Sequence, residues 1–139
     1  MREKLLHLLG LMRRANALAV GETNTGSCAR AGKAELLLIA SDASGNARRR
    51  AEGFAAGHQT AIVELPFTKE EFASAVGLSG GSMAAITDLG FACALLRGLE
   101  ELEPERYGAA REELEKRRER RQARQSARNT RIGKRRTNG

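Results

Sequence analysis

Apolar positions recur along this chain with two periods, one helical and one of short continuous runs, until the pattern stops near residue 102. Over residues 3–15, Leu5, Leu8, Leu9 and Met12 return at helical spacing, with Leu6 and Leu11 widening the stripe. Arg13 and Arg14 fall in the last turn, where they complement the negative end of the helix dipole. Asn16 follows at the place where a left-handed residue ends a helix. Leu18, Ala19 and Val20 then form a short strand-like run, and residues 21–32 carry small and polar side chains between glycines. That composition predicts a short helix entered directly from a strand, with its unpaired backbone N–H groups pointing outward.

Residues 35–40 are nearly continuously apolar, the pattern of a strand buried on both faces. Ser41-Asp42-Ala43-Ser44 offers several caps for a helix over about residues 46–56. The next strand covers residues 60–65 and stops at Pro66. Thr68 and Glu71 have capping-box spacing and open a helix that runs to about Val76. Residues 77–82 are a glycine-rich loop, and residues 83–86 are the last strand. Thr87 and Asp88 cap a helix that buries Phe91, Leu95, Leu96 and Leu99. Strands separated by helices of about ten residues define an α/β fold with helices on both sheet faces.

After Pro104 the periodicity changes. Residues 109–123 are polar all round apart from Leu114, and Glu112/Lys116 and Glu113/Arg117 sit four apart in the favourable acid-first order. A solvent-exposed helix is expected over about 109–125. Past Ser126 the composition is Arg, Lys, Asn, Thr and Gly with a lone Ile132, too polar to fold alone and expected to be disordered until a partner arrives. The chain therefore reads as a globular domain, residues 1–104, and a basic extension, residues 105–139.

Charge sharpens this division. The net charge is +7, yet residues 1–108 hold 12 Lys/Arg against 13 Asp/Glu, and residues 109–139 hold 12 against 4. The whole excess lies in the extension, which points to a polyanionic partner. Its candidate phosphate contacts are Lys116, Arg117, Arg118, Arg120, Arg121, Arg124, Arg128, Arg131, Lys134, Arg135 and Arg136. The successive Arg48, Arg49 and Arg50 spread around a helix and are expected to be solvated. Cys28 and Cys93 stand apart and belong to no paired motif, which suggests a reducing compartment. The N-terminal apolar run is broken by His7 and Gly10, unlike a signal peptide or membrane span. A cytoplasmic protein with no membrane partner is expected.

Catalytic chemistry finds little to work with. His7 and His58 are the only histidines, and neither has a partner at metal-ligand spacing. The glycine loop at 77–82 lacks the Gly-Lys-Ser/Thr ending of a phosphate-binding P-loop. Asp42 and Asp88 are explained as helix caps. No catalytic residue, metal or cofactor is expected.

Several segments in register resemble the kink-turn RNA-binding superfamily of ribosomal proteins, specifically its short bacterial YlxQ-like branch. They are Leu8-Leu9-Gly10-Leu11-Met12-Arg13-Arg14-Ala15, residues 21–32, residues 32–44 from Gly32-Lys33-Ala34-Glu35 to Ser44, and Thr87-Asp88-Leu89-Gly90-Phe91-Ala92. The resemblance implies a three-layer α-β-α sandwich with a mixed four-stranded sheet and no enzymatic activity. It also implies an accessory protein for kink-turn or ribosomal RNA, monomeric when free. By this likeness RNA meets the helix start at Gly21, Thr23, Asn24 and Ser27, and a second loop, Gly77, Leu78, Ser79, Gly80, Gly81 and Ser82, closes over bent nucleotides. The family's signature has an Asn, an acidic residue and a Lys where this chain has Thr23, Asn24 and Ser27. Arg30, one turn later, and Lys33 are the candidates to replace the missing lysine charge. The expectation is thus a two-part RNA binder in which the domain sets position and residues 111–139 supply phosphate affinity. Two alternatives are a general polyanion binder and a protein-interaction module whose domain does not read RNA.

Overall fold

The computed structural model describes residues 1–77 and 81–138, with side chains through Arg131. Among the described residues six helices and four strands follow one another as α1 (Arg2–Arg14), β1 (Leu18–Val20), α2 (Glu22–Arg30), β2 (Leu36–Ile39), α3 (Gly45–Gly57), β3 (Ala61–Glu64), α4 (Lys69–Val76), β4 (Met83–Ile86), α5 (Leu89–Leu102) and α6 (Pro104–Asn138). The strands form one mixed sheet in the order β1-β4-β2-β3. β4 runs antiparallel to both β1 and β2, whereas β2 and β3 are parallel.

The local signals act as written in the chain. Asn16 takes the left-handed conformation at φ 59° and ends α1. Ser44 Oγ accepts from the Ala47 N–H at 3.1 Å to cap α3. Thr68 and Glu71 form both halves of a capping box on α4, and the Thr68 amide hydrogen bond holds the Glu71 carboxyl below its usual range. Asp88 Oδ1 accepts from the Phe91 N–H at 2.9 Å to cap α5.

Alternation along the strands divides the core in two. Leu36, Leu38, Ala84 and Ile86 face a large layer built from α1, α4 and α5. Leu37, Ile39, Met83 and Ala85 face the smaller layer of α2 and α3. All of β2 is buried, as a strand covered on both faces requires. The result is a three-layer α-β-α sandwich.

Arg49 and Arg50 of α3 are exposed, as expected of solvated side chains, and Arg48 is partly buried. Each also has a surface partner: Arg48 donates to Ser41 O at 2.8 Å and pairs with Glu64 at 2.5 Å, Arg49 donates to Asn46, and Arg50 pairs with Glu22. The helix expected at 109–125 begins earlier, at Pro104, as part of α6 (Pro104–Asn138). Pro104 supplies a pre-set φ at its first turn. Its root belongs to the domain, because Tyr107 and Leu114 are buried in the large core layer against α5. The Tyr107 hydroxyl donates to Glu64 O on β3, so α6 is fastened across the sheet edge as well as to its neighbour helix.

Candidate nucleic-acid interface

The edge of the sheet at β1 is where the sequence changes from strand to helix without a loop. Gly21 makes this possible with φ 95°, a conformation that L side chains rarely adopt. Its N–H donates to Met83 O at 3.0 Å, which ties the start of α2 to β4. Gly81 packs at the same corner, where an added Cβ would stand 2.9 Å from Val20 Cγ1. The two elements expected to meet RNA, the head of α2 and the end of the glycine loop, are therefore neighbours. Leu78, Ser79 and Gly80 lie outside the described residues; Gly77 ends α4 in the left-handed conformation, and the Ser82 carbonyl accepts from the Ala40 N–H at 2.9 Å.

No side chain caps α2 among the described residues. Asn24 instead donates from Nδ2 to Val20 O at 2.9 Å, which fixes its amide against the strand below. The first-turn N–H groups thus keep the partial positive charge of an open helix start. Glu22, the one acid in that turn, is drawn to Arg50 of α3. Glycine also sets how close α2 comes to α3, since a Cβ on Gly26 would stand 2.7 Å from the Phe54 ring.

A groove of about 490 Å³ runs along this edge, lined by Arg13, Asn16, Leu18, Ala19, Val20, Asn24, Ser27, Cys28, Ala31 and Lys33. None of these residues is acidic. Asn24, Ser27 and Lys33 come together there, and Thr23 is exposed on the same helix. Arg30 does not join them; its guanidinium lies 5.9 Å from the Phe54 ring, against α3. In the sequence, Arg13 and Arg14 fit RNA contact less well than a dipole-complementing helix end, with Asn16 as its left-handed stop. Arg13 and Asn16 also line the groove. Their position depends on how α1 crosses β1, a tertiary fact with no local signal. Burial pushes the Cys28 thiol up, so it lines the groove as a neutral group.

The basic extension has a docked part and a projecting part. Arg121 donates to Glu35 Oε1 at 2.7 Å, and Arg117 donates to Glu35 O at 3.3 Å. Arg97 pairs with Glu115 and Arg111 with Glu100 across α5 and α6. Lys116, Arg118, Arg120, Arg124, Arg128 and Arg131 have no ion pair among the described residues. Side chains of Lys134, Arg135 and Arg136 lie outside the description. Among the described residues no cluster of His, Cys, Asp or Glu is arranged to hold a metal, and no helix is long and apolar enough to cross a membrane.

The chain is thus an α-β-α sandwich with an uncapped helix start, a glycine corner and an acid-free groove at one sheet edge. No protein-family model matches the chain. It is 32% identical over 91 residues to the RNA-binding protein YlxQ of Enterococcus faecium, a match that covers 66% of this chain and 86% of that one. A Bacillus halodurans protein of unknown function superposes with TM-score 0.61 at 25% identity, covering 66% of this chain and 92% of its own. The Giardia lamblia 15.5kD RNA binding protein shares the fold with TM-score 0.56 at 20% identity, covering 73% and 88%. The chain belongs to the kink-turn ribosomal-protein superfamily, in its YlxQ-like branch.

Proposed function

We propose that this protein binds structured RNA as a non-enzymatic accessory protein. In this reading the groove beside α2 receives a sharply bent, kink-turn-like or ribosomal RNA, and the arginines of α6 add phosphate affinity. The observation that carries it is the acid-free groove along α2, lined by Arg13, Asn24, Ser27 and Lys33 among others, next to the uncapped start of α2 at Gly21. Backbone donors and a fixed Asn24 amide suit the sheared pairs and unstacked bases of a bent RNA. The relationship to an RNA-binding protein supports the same reading. The protein acts in the cytoplasm, in a ribonucleoprotein or at the ribosome, and is monomeric when free.

The test is a titration of the full chain with a kink-turn RNA and with a straight duplex of the same length. Preference for the kinked RNA, lost in Asn24→Ala, supports the reading. Equal affinity for both RNAs, unchanged by Asn24→Ala, overturns it and leaves a general polyanion binder.

A further inference from the structure

Beyond the root of α6, the arginines are not scattered. Arg117, Arg121, Arg124, Arg128 and Arg131 follow at spacings of four, three, four and three residues. At about 3.6 residues per turn they fall within roughly 40° of one line along the helix. The opposite side carries Glu119, Gln122, Ala123, Ser126, Asn129 and Thr130, and no acid follows Glu119 in the sequence. Arg124, Arg128 and Arg131 surround a concavity of about 270 Å³ whose remaining wall is the small Ala127.

The orientation of this ladder is set at its root. Glu35, whose side chain is 12% exposed, receives Arg121 and Arg117 at the lower end of the same line. One Glu35 oxygen is fully buried without a hydrogen-bond partner among the described residues, and the Arg117 guanidinium lies 3.9 Å from it. The Glu35 N–H donates to Ile86 O at 2.7 Å, and Ile86 pairs on its other side with Leu18 of the groove, so the foot of the ladder stands at the end of the sheet where the groove lies. Five like charges along one helix face repel one another. At the root a carboxylate relieves that repulsion; further out only an external anion can.

We infer that the Arg124–Arg128–Arg131 face of α6 is a second RNA-binding surface, held by Glu35 so that one RNA spans both it and the groove. This rests on the RNA-binding reading of the groove. The occupant is the phosphate backbone of a duplex stem continuing from the RNA in the groove. Arginine grips phosphate with two parallel hydrogen bonds, and a duplex stem presents closely spaced backbone phosphates. Two weak surfaces in fixed relation bind one ligand far more tightly than either alone.

The experiment uses the full chain and a variant of identical composition and net charge, in which Gln122, Ser126 and Asn129 exchange places with Arg124, Arg128 and Arg131. The exchange moves the three arginines to the opposite side of the helix. Each protein is titrated with a kinked RNA carrying either a short or a long flanking stem, and with a straight duplex of matching length. The inference expects the wild type to gain roughly tenfold or more from the longer stem and the exchange variant to lose that gain. A second variant, Arg124→Gln/Arg128→Gln/Arg131→Gln, is expected to flatten the logarithmic salt dependence by about 2–3. A stem gain that is equal in wild type and exchange variant, or absent from the wild type, overturns the inference. Kinked-over-straight preference with short stems reports on the groove separately, so either reading can fail while the other stands.

Discussion

The groove beside α2 and the outer half of α6 are both basic, yet they are built in opposite ways. The groove has few charges, Arg13 and Lys33, set among fixed backbone groups and a hydrogen-bonded Asn24 amide. Outer α6 has many charges and no packing, with every described residue from Arg120 to Arg131 exposed. A packed edge holds its donors at fixed positions and so can discriminate shape. An exposed arginine face offers repeated charge and so supplies affinity that depends on salt. Between them lies the root of α6, which is charged on its surface but belongs to the core through Tyr107 and Leu114. In the proposed reading, position and affinity are thus separate in space and joined through the packed root of α6.

The sharpest way to break this arrangement is at the root. Leu114→Ala removes a fully buried side chain from the α5–α6 contact and is expected to cost about 2–5 kcal/mol by chemical denaturation. A loss under about 1 kcal/mol would mean that α6 is an appendage with no share in the core. For the same reason a cut at Pro104 is expected to destabilise the domain, which makes it unsuitable for assigning RNA affinity to the extension.

Tyr107 gives a pH-dependent version of that test. Burial pushes its hydroxyl up to about 12 from an ordinary value of 10. The folded state therefore keeps a proton that the unfolded chain releases. Stability from this group is complete below pH 10 and is lost as pH rises from about 10 to 12, by roughly 2–3 kcal/mol. Tyr107→Phe is expected to be less stable at neutral pH but to lack this alkaline loss. Identical alkaline profiles for the two proteins would exclude Tyr107 as the responsible group.

At the groove, effects are smaller and more specific. Gly21→Ala places a Cβ on a backbone at φ 95° and is expected to cost about 1–2 kcal/mol, with loss of kinked-RNA preference. Arg13→Gln and Lys33→Gln together are expected to weaken RNA binding and to leave the melting temperature within about 2 °C. If the same pair shifts the melting temperature strongly, Arg13 and Lys33 serve the fold rather than the ligand.

Much of the fold was legible because its signals are local. The Thr68–Glu71 capping box, the Asp88 cap, the left-handed Asn16 and the continuous apolar run of β2 each act within one or two turns of chain. The α6 boundary was not legible. Tyr107 and Leu114 are isolated apolar residues in a polar stretch, and no periodicity distinguishes an isolated buried residue from an isolated exposed one. The candidate site was legible in part: the head of α2 and the glycine corner were marked by Gly21 and Gly81, whereas Arg13 entered and Arg30 left because of helix crossings.

By itself the sequence determined the order of elements, the double burial of β2, the family resemblance and the concentration of positive charge after residue 108. Those follow from periodicity, capping chemistry and composition, which act between near neighbours. Only the tertiary structure decided which charges are available. Arg48, Arg50, Arg117 and Arg121 are engaged by carboxylates 16, 28, 82 and 86 residues away in the chain. Arg13 and Lys33, 20 positions apart, line one groove instead. Coulombic pairing depends on distance in space, and the packing of helices on the sheet sets that distance.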